Sequence, residues 1–260
     1  MIPRLHRLAL LVLAGWVLFI PVAEARYGEE ICNNQGFKCH EVKKGDNWQR
    51  LFPSGRDRNL VQRLNRMNTR LRVGMVIAVP KNLGTTSLGD ISPFPAKIES
   101  SDQSQVFVNQ GELAWGAYDK SGNLIKWGPM SGGQSYCEDI RERCATPSGQ
   151  FTAFRKEGAD CISKTFPLNE GGAEMPFCTF FSGGVAFHGS AEVPGFHASH
   201  GCVRMFTEDA RWLNTEFVEL GKTRVMVDSS LPHSPRPLVK STYGIGMSNS
   251  KGGMPSFPWH

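Results

Sequence analysis

Seven cysteines constrain this 260-residue chain more than any other feature of its sequence. In an oxidising compartment six of them can pair and one is left over, and the fifteen possible pairings are not distinguished by sequence alone. Short loops favour two of the pairs and leave a third pair and an odd cysteine: Cys32–Cys39, Cys137–Cys144 and Cys161–Cys178, with Cys202 unpaired. We therefore expect three disulfides and one free thiol.

The first 25 residues supply the export signal that such pairing requires. They hold, in order, a basic start, an apolar stretch and a small-x-small cleavage pattern: Arg4, His6 and Arg7, then Leu8 to Ile20, then Ala23-Glu24-Ala25. Thirteen helical residues rise only about 20 Å, which is too short for a bilayer core of about 30 Å. The sequence predicts a cleaved signal peptide over residues 1–25, no stable membrane span after cleavage, and a location in the periplasm or cell envelope.

Composition excludes a disordered chain, because 40% of the residues are hydrophobic and 20% are charged. The positive charge is concentrated in residues 40–82, which hold 10 basic and 3 acidic residues, a net charge of +7. We interpret most of this charge as a solvated surface. Export argues against a nucleic-acid partner, so anionic cell-envelope polymers are the better candidate.

Residues 40–82 have the pattern of a small β-α-α-β unit. Strands are predicted at its two ends and helices between them: His40 to Val42, a helix with Trp48, Leu51 and Phe52, a helix with Leu60, Val61, Leu64 and Met67, and Met75 to Pro80. Asp46 and Asp57 are predicted to cap the two helices. The opening V-K-K-G-D and the closing L-R-V-G-M-V-I-A-V-P resemble a LysM module, a domain that binds glycans containing N-acetylglucosamine.

The LysM resemblance implies that glycan strands bind to residues 40–82, and a spacer that binds nothing strongly is the alternative. A chain that lacks these residues is expected to keep its activity on small soluble muropeptides and to lose sedimentation with intact sacculi. A cysteine-bearing lead-in at 26–39 precedes the module. A linker at 83–96 follows it, rich in Gly, Ser, Thr and Pro.

Residues 97–228 are predicted to form a mainly-β domain. Its strands are expected at Gln105 to Asn109, Leu113 to Tyr118, Leu124 to Met130, Thr146 to Phe151, Gly184 to His188 and Thr223 to Val227. One helix is predicted from a Thr207 cap to Gly221, with Ala210, Leu213, Phe217 and Leu220 on its apolar face. The tail at 229–260 is predicted to be disordered, because 16 of its 32 residues are Pro, Gly or Ser.

The chemistry is concentrated in His188-Gly189-Ser190 and in the stretch from Ser199 to Met205. A cysteine nucleophile needs a base within hydrogen-bond reach, since its thiol has an ordinary pKa near 8.5. His188 ends a separate strand and can approach Cys202 from the opposite side, whereas His200 is too close in sequence to reach round to the sulfur. We therefore predict Cys202 as nucleophile and His188 as base. His200 shapes the pocket, and the Gly201 turn exposes backbone N–H groups to an oxyanion.

The S-H-G-C-V-R-M stretch, with an upstream H-G and a T-P-S-G-Q-F strand, resembles the catalytic domain of L,D-transpeptidases of the YkuD type. The resemblance implies a YkuD-like β-sandwich with one notable helix. Within the site it implies that the Gly189 carbonyl orients His188, that Ser199, His200 and Gly201 frame the nucleophile, and that Arg204 takes the family's arginine position. It also implies acylation of Cys202 by an activated β-lactam of the carbapenem type.

This resemblance further implies that Cys202 attacks the third residue, a diamino acid, of a peptidoglycan tetrapeptide stem. D-Alanine leaves, and a second stem's amine, a lysine of an envelope lipoprotein, or water resolves the thioester. No metal or cofactor is expected. The alternatives are an L,D-carboxypeptidase of the same fold and a non-catalytic glycan-binding envelope protein. A zinc site of His188, His197, His200 and Cys202, and a salt-bridge role for Arg204, also remain open. We expect Phe177, Phe180 and Phe181 in the core.

Overall fold

The computed structural model of the chain describes residues 26–166 and 173–228. The predicted signal peptide at 1–25 and the tail predicted to be disordered at 229–260 lie outside these residues. None of the described helices is long and apolar enough to cross a membrane.

The N-terminal part of the described chain consists of α1 (Tyr27–Ile31), β1 (Phe37–Glu41), α2 (Trp48–Leu51), α3 (Gly55–Leu64) and β2 (Val76–Pro80). The strands β1 and β2 pair antiparallel, with Phe37 opposite Pro80. A small apolar cluster that includes Trp48, Val61 and Ile77 lies between this ribbon and the two helices. The predicted β-α-α-β order is confirmed, although β1 begins three residues earlier than expected.

The caps of α2 and α3 differ from the prediction. Asn47 caps α2, and its side chain accepts the backbone N–H three residues on at 2.8 Å. Asp46 instead accepts the Lys43 N–H in the preceding turn at 2.9 Å. Ser54 caps α3, and its hydroxyl accepts the N–H of Asp57, the residue predicted as the cap. Each helix is preceded by more than one polar residue that could cap it. The backbone path of the preceding loop decides which of them takes the N-cap position.

The remaining elements form the larger part of the structure: β3 (Gln105–Asn109), β4 (Ala114–Tyr118), β5 (Leu124–Ser131), β6 (Gly149–Thr152), β7 (Arg155–Lys156), β8 (Thr179–Ser182), β9 (Val185–Gly189), β10 (Val203–Met205), α4 (Thr207–Trp212), a π-helical turn (Leu213–Phe217) and β11 (Arg224–Val227). The nine strands make one sheet in the order β6-β11-β3-β4-β5-β10-β9-β8-β7. The pairs β11–β3 and β10–β9 are parallel, and the other pairs are antiparallel.

The sheet curls until its two edges meet. Strands β6 and β7 stand at opposite ends of the order, yet only Ala153 and Phe154 separate them along the chain. The Phe154 N–H donates to the Phe180 carbonyl at 3.0 Å, and the rings of Phe151 and Phe181 lie 5.5 Å apart across the join. The mainly-β class is confirmed, but a single curled sheet replaces the predicted β-sandwich.

The helical segment that follows β10 is shorter than predicted. Phe206 rather than Thr207 occupies its N-cap, and the segment ends at the π-helical turn instead of at Gly221. The Lys156 ammonium donates to the carbonyls of Asn214 and Val218 at 2.6 and 2.8 Å, which occupies acceptors at the helix end. Leu220 lies beyond this end and is exposed, not part of an apolar face.

One hydrophobic core joins the N-terminal elements to the curled sheet. Ile31 and Leu64 belong to the same buried cluster as Trp115, and Phe94 from the predicted linker at 83–96 lies in it as well. The predicted linker contains no helix or strand. It nevertheless packs into the core shared by the N-terminal elements and the curled sheet. Phe180 and Phe181 are buried, as predicted for core residues, and Phe177 is partly buried against the core.

The basic surface expected on residues 40–82 is only partly solvated. Arg63 and Arg66 are 4% and 0% exposed, so the expectation of a solvated charge is wrong for these two. Asn68 also fastens the N-terminal unit to the loop after β9. Its side-chain amide donates to the Ser190 carbonyl at 2.8 Å and accepts the Val193 N–H at 2.9 Å.

Candidate active site

Cys202 and His188 lie on two neighbouring parallel strands. The pairing of β10 with β9 sets Val203 opposite Phe187 and Arg204 opposite His188. One residue further back, the same register brings Cys202 beside Ala186. Because alternate residues of a strand share a face, the Cys202, Arg204 and His188 side chains lie on one face of the sheet. Cys202 and His188 are diagonal neighbours, a separation that long side chains can bridge.

The Cys202 thiol is free and half-buried at the start of β10. Its sulfur lies 3.7 Å from the Gly184 carbonyl oxygen. Burial raises the pKa of the thiol, while a hydrogen bond from the Ala186 backbone and the charge of Arg204 act to lower it. The resting group is therefore a thiol held beside two features that favour the thiolate.

His188 is buried, and its Nδ1 lies 3.0 Å from the Gly189 carbonyl oxygen. A carbonyl only accepts, so this contact requires the proton on Nδ1 and leaves the Nε2 lone pair free. Burial, partly opposed by the Gly189 contact and assisted by the nearby Arg204, lowers the pKa of His188 to about 4. The imidazole is thus neutral at pH 7 and can accept a proton at Nε2.

Arg204 stands between the site and the solvent, with 22% of its side chain exposed. Its contacts with Glu192 are long, at 3.7 Å to the carboxylate and 3.4 Å to the backbone carbonyl. Burial lowers the pKa of Arg204, and Glu192 and Cys202 oppose that shift. The weak ion pair leaves the guanidinium with donors to spare, which argues against a purely structural salt bridge.

A tight turn delivers Cys202 to the strand. Gly201 has φ +122°, a backbone conformation that side-chain-bearing residues rarely adopt. The Ser199 hydroxyl accepts the Gly201 N–H at 3.1 Å and donates to the Cys202 carbonyl at 2.5 Å. The Thr146 hydroxyl donates to the Gly201 carbonyl at 2.8 Å. The Gly201 N–H is consequently engaged by Ser199, and the oxyanion role expected of the N–H groups at this turn stays a prediction.

His200 points to a different set of partners. Its Nε2 lies 2.8 Å from an Asp139 carboxylate oxygen, and its ring stacks on Phe166 with centroids 4.6 Å apart. The hydrogen bond with His200 holds the pKa of the Asp139 carboxyl below its usual range. Asp139 belongs to the loop closed by the Cys137–Cys144 disulfide, so this loop is attached to the residue two before Cys202.

The three predicted disulfides are present, and Cys202 is the free cysteine, as predicted. Among the described residues, the four ligands of the zinc alternative do not gather at one point. His197 accepts the Gly132 N–H through Nδ1, and His200 faces Asp139. The two clusters of metal-ligand type in the described chain both include cysteines that are disulfide-bonded.

Sequence reasoning missed three residues that shape the site. Asp139 and Phe166 hold His200, and Thr146 supports the turn before Cys202. Thr146 begins the T-P-S-G-Q-F motif, so a signal for it was present in the sequence. Asp139 and Phe166 lie far from His200 along the chain, and only the tertiary structure brings them there.

Two cavities flank the site. The larger, about 460 Å³, lies between Tyr27, Gln134 and His197, and Cys202 does not line it. The smaller, about 370 Å³, is bordered by Arg204 and by residues of the N-terminal unit. Of the three side chains on the common sheet face, Arg204 lines the smaller cavity, and neither Cys202 nor His188 lines either cavity.

Comparison with known proteins identifies the curled sheet. Residues 103–227 match the family model of the YkuD L,D-transpeptidase catalytic domain. No curated protein sequence matches the chain. Among solved structures, the chain is similar to an L,D-transpeptidase from Xylanimonas cellulosilytica, with 24% identity, a TM-score of 0.48, and coverage of 65% of this chain and 77% of that one.

Two further structures are similar at lower coverage. An L,D-transpeptidase from Stackebrandtia nassauensis is 21% identical, with a TM-score of 0.41 over 52% of this chain and 60% of its own. L,D-transpeptidase 3 from Mycobacterium tuberculosis, in complex with a faropenem-derived adduct, is 17% identical, with a TM-score of 0.39 over 48% and 60%. The chain spans about three-fifths of the length of these two.

The family match covers the sheet from β3 to β11, and it includes both strands that carry the cysteine and the histidine. Residues 103–227 thus match the model of an L,D-transpeptidase catalytic domain, and the enzyme class that this match supports is L,D-transpeptidase.

Proposed function

We propose that this chain is an exported peptidoglycan L,D-transpeptidase in which Cys202 is the nucleophile and His188 the base. The observation that carries the proposal is the common sheet face of Cys202, His188 and Arg204, set by the β10–β9 register. A neutral imidazole with a free Nε2 and a thiol beside a guanidinium are the groups that cysteine acyl transfer requires.

The first half-reaction forms a thioester. As the Cys202 sulfur attacks the carbonyl of the third stem residue, the thiol proton moves to Nε2 of His188. The tetrahedral intermediate then loses the amine of the terminal D-alanine, which takes the proton back from His188 as the C–N bond breaks. The Gly189 carbonyl favours the protonated imidazole during this interval, because it accepts from Nδ1 in both charge states.

The second half-reaction returns the enzyme to its starting state. An acceptor amine attacks the thioester carbonyl and gives a proton to His188. The C–S bond then breaks, and the Cys202 sulfur recovers that proton as the thiol. An amine of a second stem gives a 3-3 cross-link, a lysine of an envelope lipoprotein gives protein attachment, and water gives the L,D-carboxypeptidase reaction.

Mass spectrometry of defined tetrapeptide muropeptides after incubation with the purified chain tests this proposal. Cross-linked dimers that have lost D-alanine are expected with the natural protein, and trimmed tripeptides alone would identify a carboxypeptidase. Cys202→Ser is expected to abolish both products and the acylation by a carbapenem, while the melting temperature stays unchanged. Unimpaired turnover by Cys202→Ser would disprove the nucleophile, and no product from the natural protein would favour a glycan-binding protein.

We further propose that residues 40–82 are a LysM module that holds the enzyme on glycan strands. The β-α-α-β order, the antiparallel β1–β2 ribbon and the resemblance of its first and last segments support this proposal. Attachment to the polymer raises the local concentration of stems at Cys202. The exposed basic side chains of the module, Arg70 and Arg72 among them, add an attraction that salt weakens.

Sedimentation of the Cys202→Ser chain with purified sacculi tests the module without turnover. Chito-oligosaccharides are expected to release the chain into the supernatant at constant ionic strength, because they compete for the sugar contacts. Release by salt alone, with no effect of the oligosaccharides, would mean that the module acts as a charged spacer.

A further inference from the structure

The cavity of about 370 Å³ beside Arg204 carries a charge that its own walls do not balance. Four arginines and one acid line it, together with apolar and small residues: Arg26, Arg70, Arg72 and Arg204, and Glu192. Arg70 and Arg72 come from the N-terminal unit, whereas Arg204 comes from β10. The cavity is therefore built by both parts of the molecule, and four cations face one anion.

The arginines of this pocket have few protein partners. Within the described chain, Arg70 and Arg72 form no ion pair, and both are exposed. The buried Nε of Arg26 has no hydrogen-bond partner, and its guanidinium lies over the Phe196 ring at 5.4 Å. Burial lowers the pKa of Arg26, the charge of Arg72 adds to that shift by repulsion, and Glu29 opposes it. Guanidinium groups arranged in this way favour an anion.

The pocket also borders the reaction centre. Arg204 pairs in register with His188 and acts electrostatically on both His188 and Cys202. Glu192, the single acid, reaches Arg204 only at 3.7 Å and has 77% of its side chain exposed. An anion in the pocket would thus lie next to the peptide whose carbonyl Cys202 attacks.

We propose that this pocket binds a carboxylate of the stem peptide during acyl transfer, and that Arg70 and Arg72 of the N-terminal unit belong to the substrate site. The proposal rests on the function proposed above, because a tetrapeptide stem brings carboxylates to within a residue or two of the attacked carbonyl. The planar fork of arginine matches a carboxylate bidentately, and this match sets the orientation of the stem. The N-terminal unit then determines which stems react, in addition to holding the chain on glycan.

A double variant and amidated substrates test the proposal together. Arg70→Gln with Arg72→Gln is compared with the natural chain in kcat/KM for D-alanine release from a tetrapeptide with diaminopimelate at its third position. Arg50→Gln is the matched control, because Arg50 is an exposed arginine of the same unit that does not line the pocket. Three further substrates each carry one amidated carboxylate: that of the D-glutamate, the diaminopimelate or the terminal D-alanine.

The double variant is expected to lose about tenfold to a hundredfold in kcat/KM on the free acid, the loss typical of charge-assisted hydrogen bonds. On one of the three amides the loss should shrink to less than threefold, and that amide identifies the bound carboxylate. Arg50→Gln should match the natural chain on every substrate. Melting temperatures of all variants are measured alongside to separate binding from stability.

Two results would overturn the inference while leaving the proposed function in place. One is a double variant as active as the natural chain on the free acid. The other is an equal loss on all four substrates, which would indicate general electrostatic attraction. A natural chain that releases no D-alanine from any substrate would instead disprove the proposed function and this inference with it.

Discussion

Two groups of arginines in the N-terminal unit occupy opposite environments. Arg63 and Arg66 are buried against the curled sheet, whereas Arg70 and Arg72 are exposed at the pocket beside Arg204. All four lie within ten residues of one another in a sequence that gives no sign of the division. The difference between the groups lies in the partners that the sheet offers to each.

The buried pair is fully provided with acceptors. Arg63 makes a two-pronged contact with Asp209 at 2.7 and 2.9 Å and donates to the Trp127 carbonyl at 3.2 Å. Gly128 allows this approach, because a Cβ there would lie 2.4 Å from the Asp209 carboxylate and 2.8 Å from the Arg63 guanidinium. The Arg66 guanidinium donates to the Arg63 and Glu112 carbonyls at 2.6 and 2.9 Å.

The exposed group lacks such acceptors and remains available to a ligand. One stretch of basic sequence therefore serves two purposes, because α3 faces the sheet and the segment that follows it faces the pocket. This comparison teaches that the N-terminal unit is a structural part of the enzyme, and that its net charge is not a measure of surface attraction.

Removal of residues 40–82 is the change with the largest expected effect, and it tests whether the N-terminal unit is a structural part of the enzyme. The deletion would expose the apolar face that Leu64 and Ala78 cover and would leave Asp209 buried without Arg63. We expect the shortened chain to show no cooperative thermal transition and no turnover of small muropeptides. This outcome replaces the sequence-based expectation that such a chain keeps its activity, and a folded, active deletion would restore it.

Asp209→Asn tests the buried ion pair of Arg63 at a single residue. It leaves the buried Arg63 guanidinium with only the Glu208 carboxylate at 3.9 Å, and it removes the anion that lies 3.2 Å from the Lys126 ammonium. We expect a loss of about 3–5 kcal/mol in the free energy of unfolding, measured by chemical denaturation.

Asp57→Asn is the matched control for this loss. Asp57 in α3 pairs with the exposed Arg56, and its replacement should cost at most about 1 kcal/mol. Equal losses for the two variants would show that burial of Arg63 has no special weight.

The pH dependence of kcat/KM tests the pKa of His188 and the influence of Arg204 on it. His188 must be neutral to accept the thiol proton, and its pKa is lowered to about 4, so kcat/KM should hold down to about pH 5 and fall only near pH 4. An unshifted histidine would already lose activity below pH 6.5. Circular dichroism at each pH verifies that the chain stays folded.

Arg204→Gln should move this acid limb to higher pH, because the guanidinium is one cause of the low His188 pKa. It should also move the ionisation of Cys202 to higher pH, which the rate of iodoacetamide alkylation measures. An acid limb at the same pH in both proteins would show that burial alone determines the His188 pKa.

Local patterns in the sequence were sufficient for much of the fold. The strands β3, β4 and β5 begin and end within one residue of the prediction, because period-two apolar patterns and turn residues are local signals. The helix after β10 was predicted four residues too long, since Lys156 from a distant strand binds its last carbonyls. A cap or an end that depends on a remote side chain leaves no trace in the local pattern.

The sequence by itself was sufficient to predict a cysteine and a histidine in a recognisable motif, two disulfides from short loops with a third from the remaining cysteines, and a mainly-β class. The tertiary structure alone decided that one sheet curls onto itself, that His200 faces Asp139, and that Arg63 and Arg66 are buried while Arg70 and Arg72 are not. The reason is physical. Nucleophiles, turns and short disulfides depend on neighbours within a few residues, whereas burial and ion pairing depend on surfaces contributed by segments up to 146 residues away.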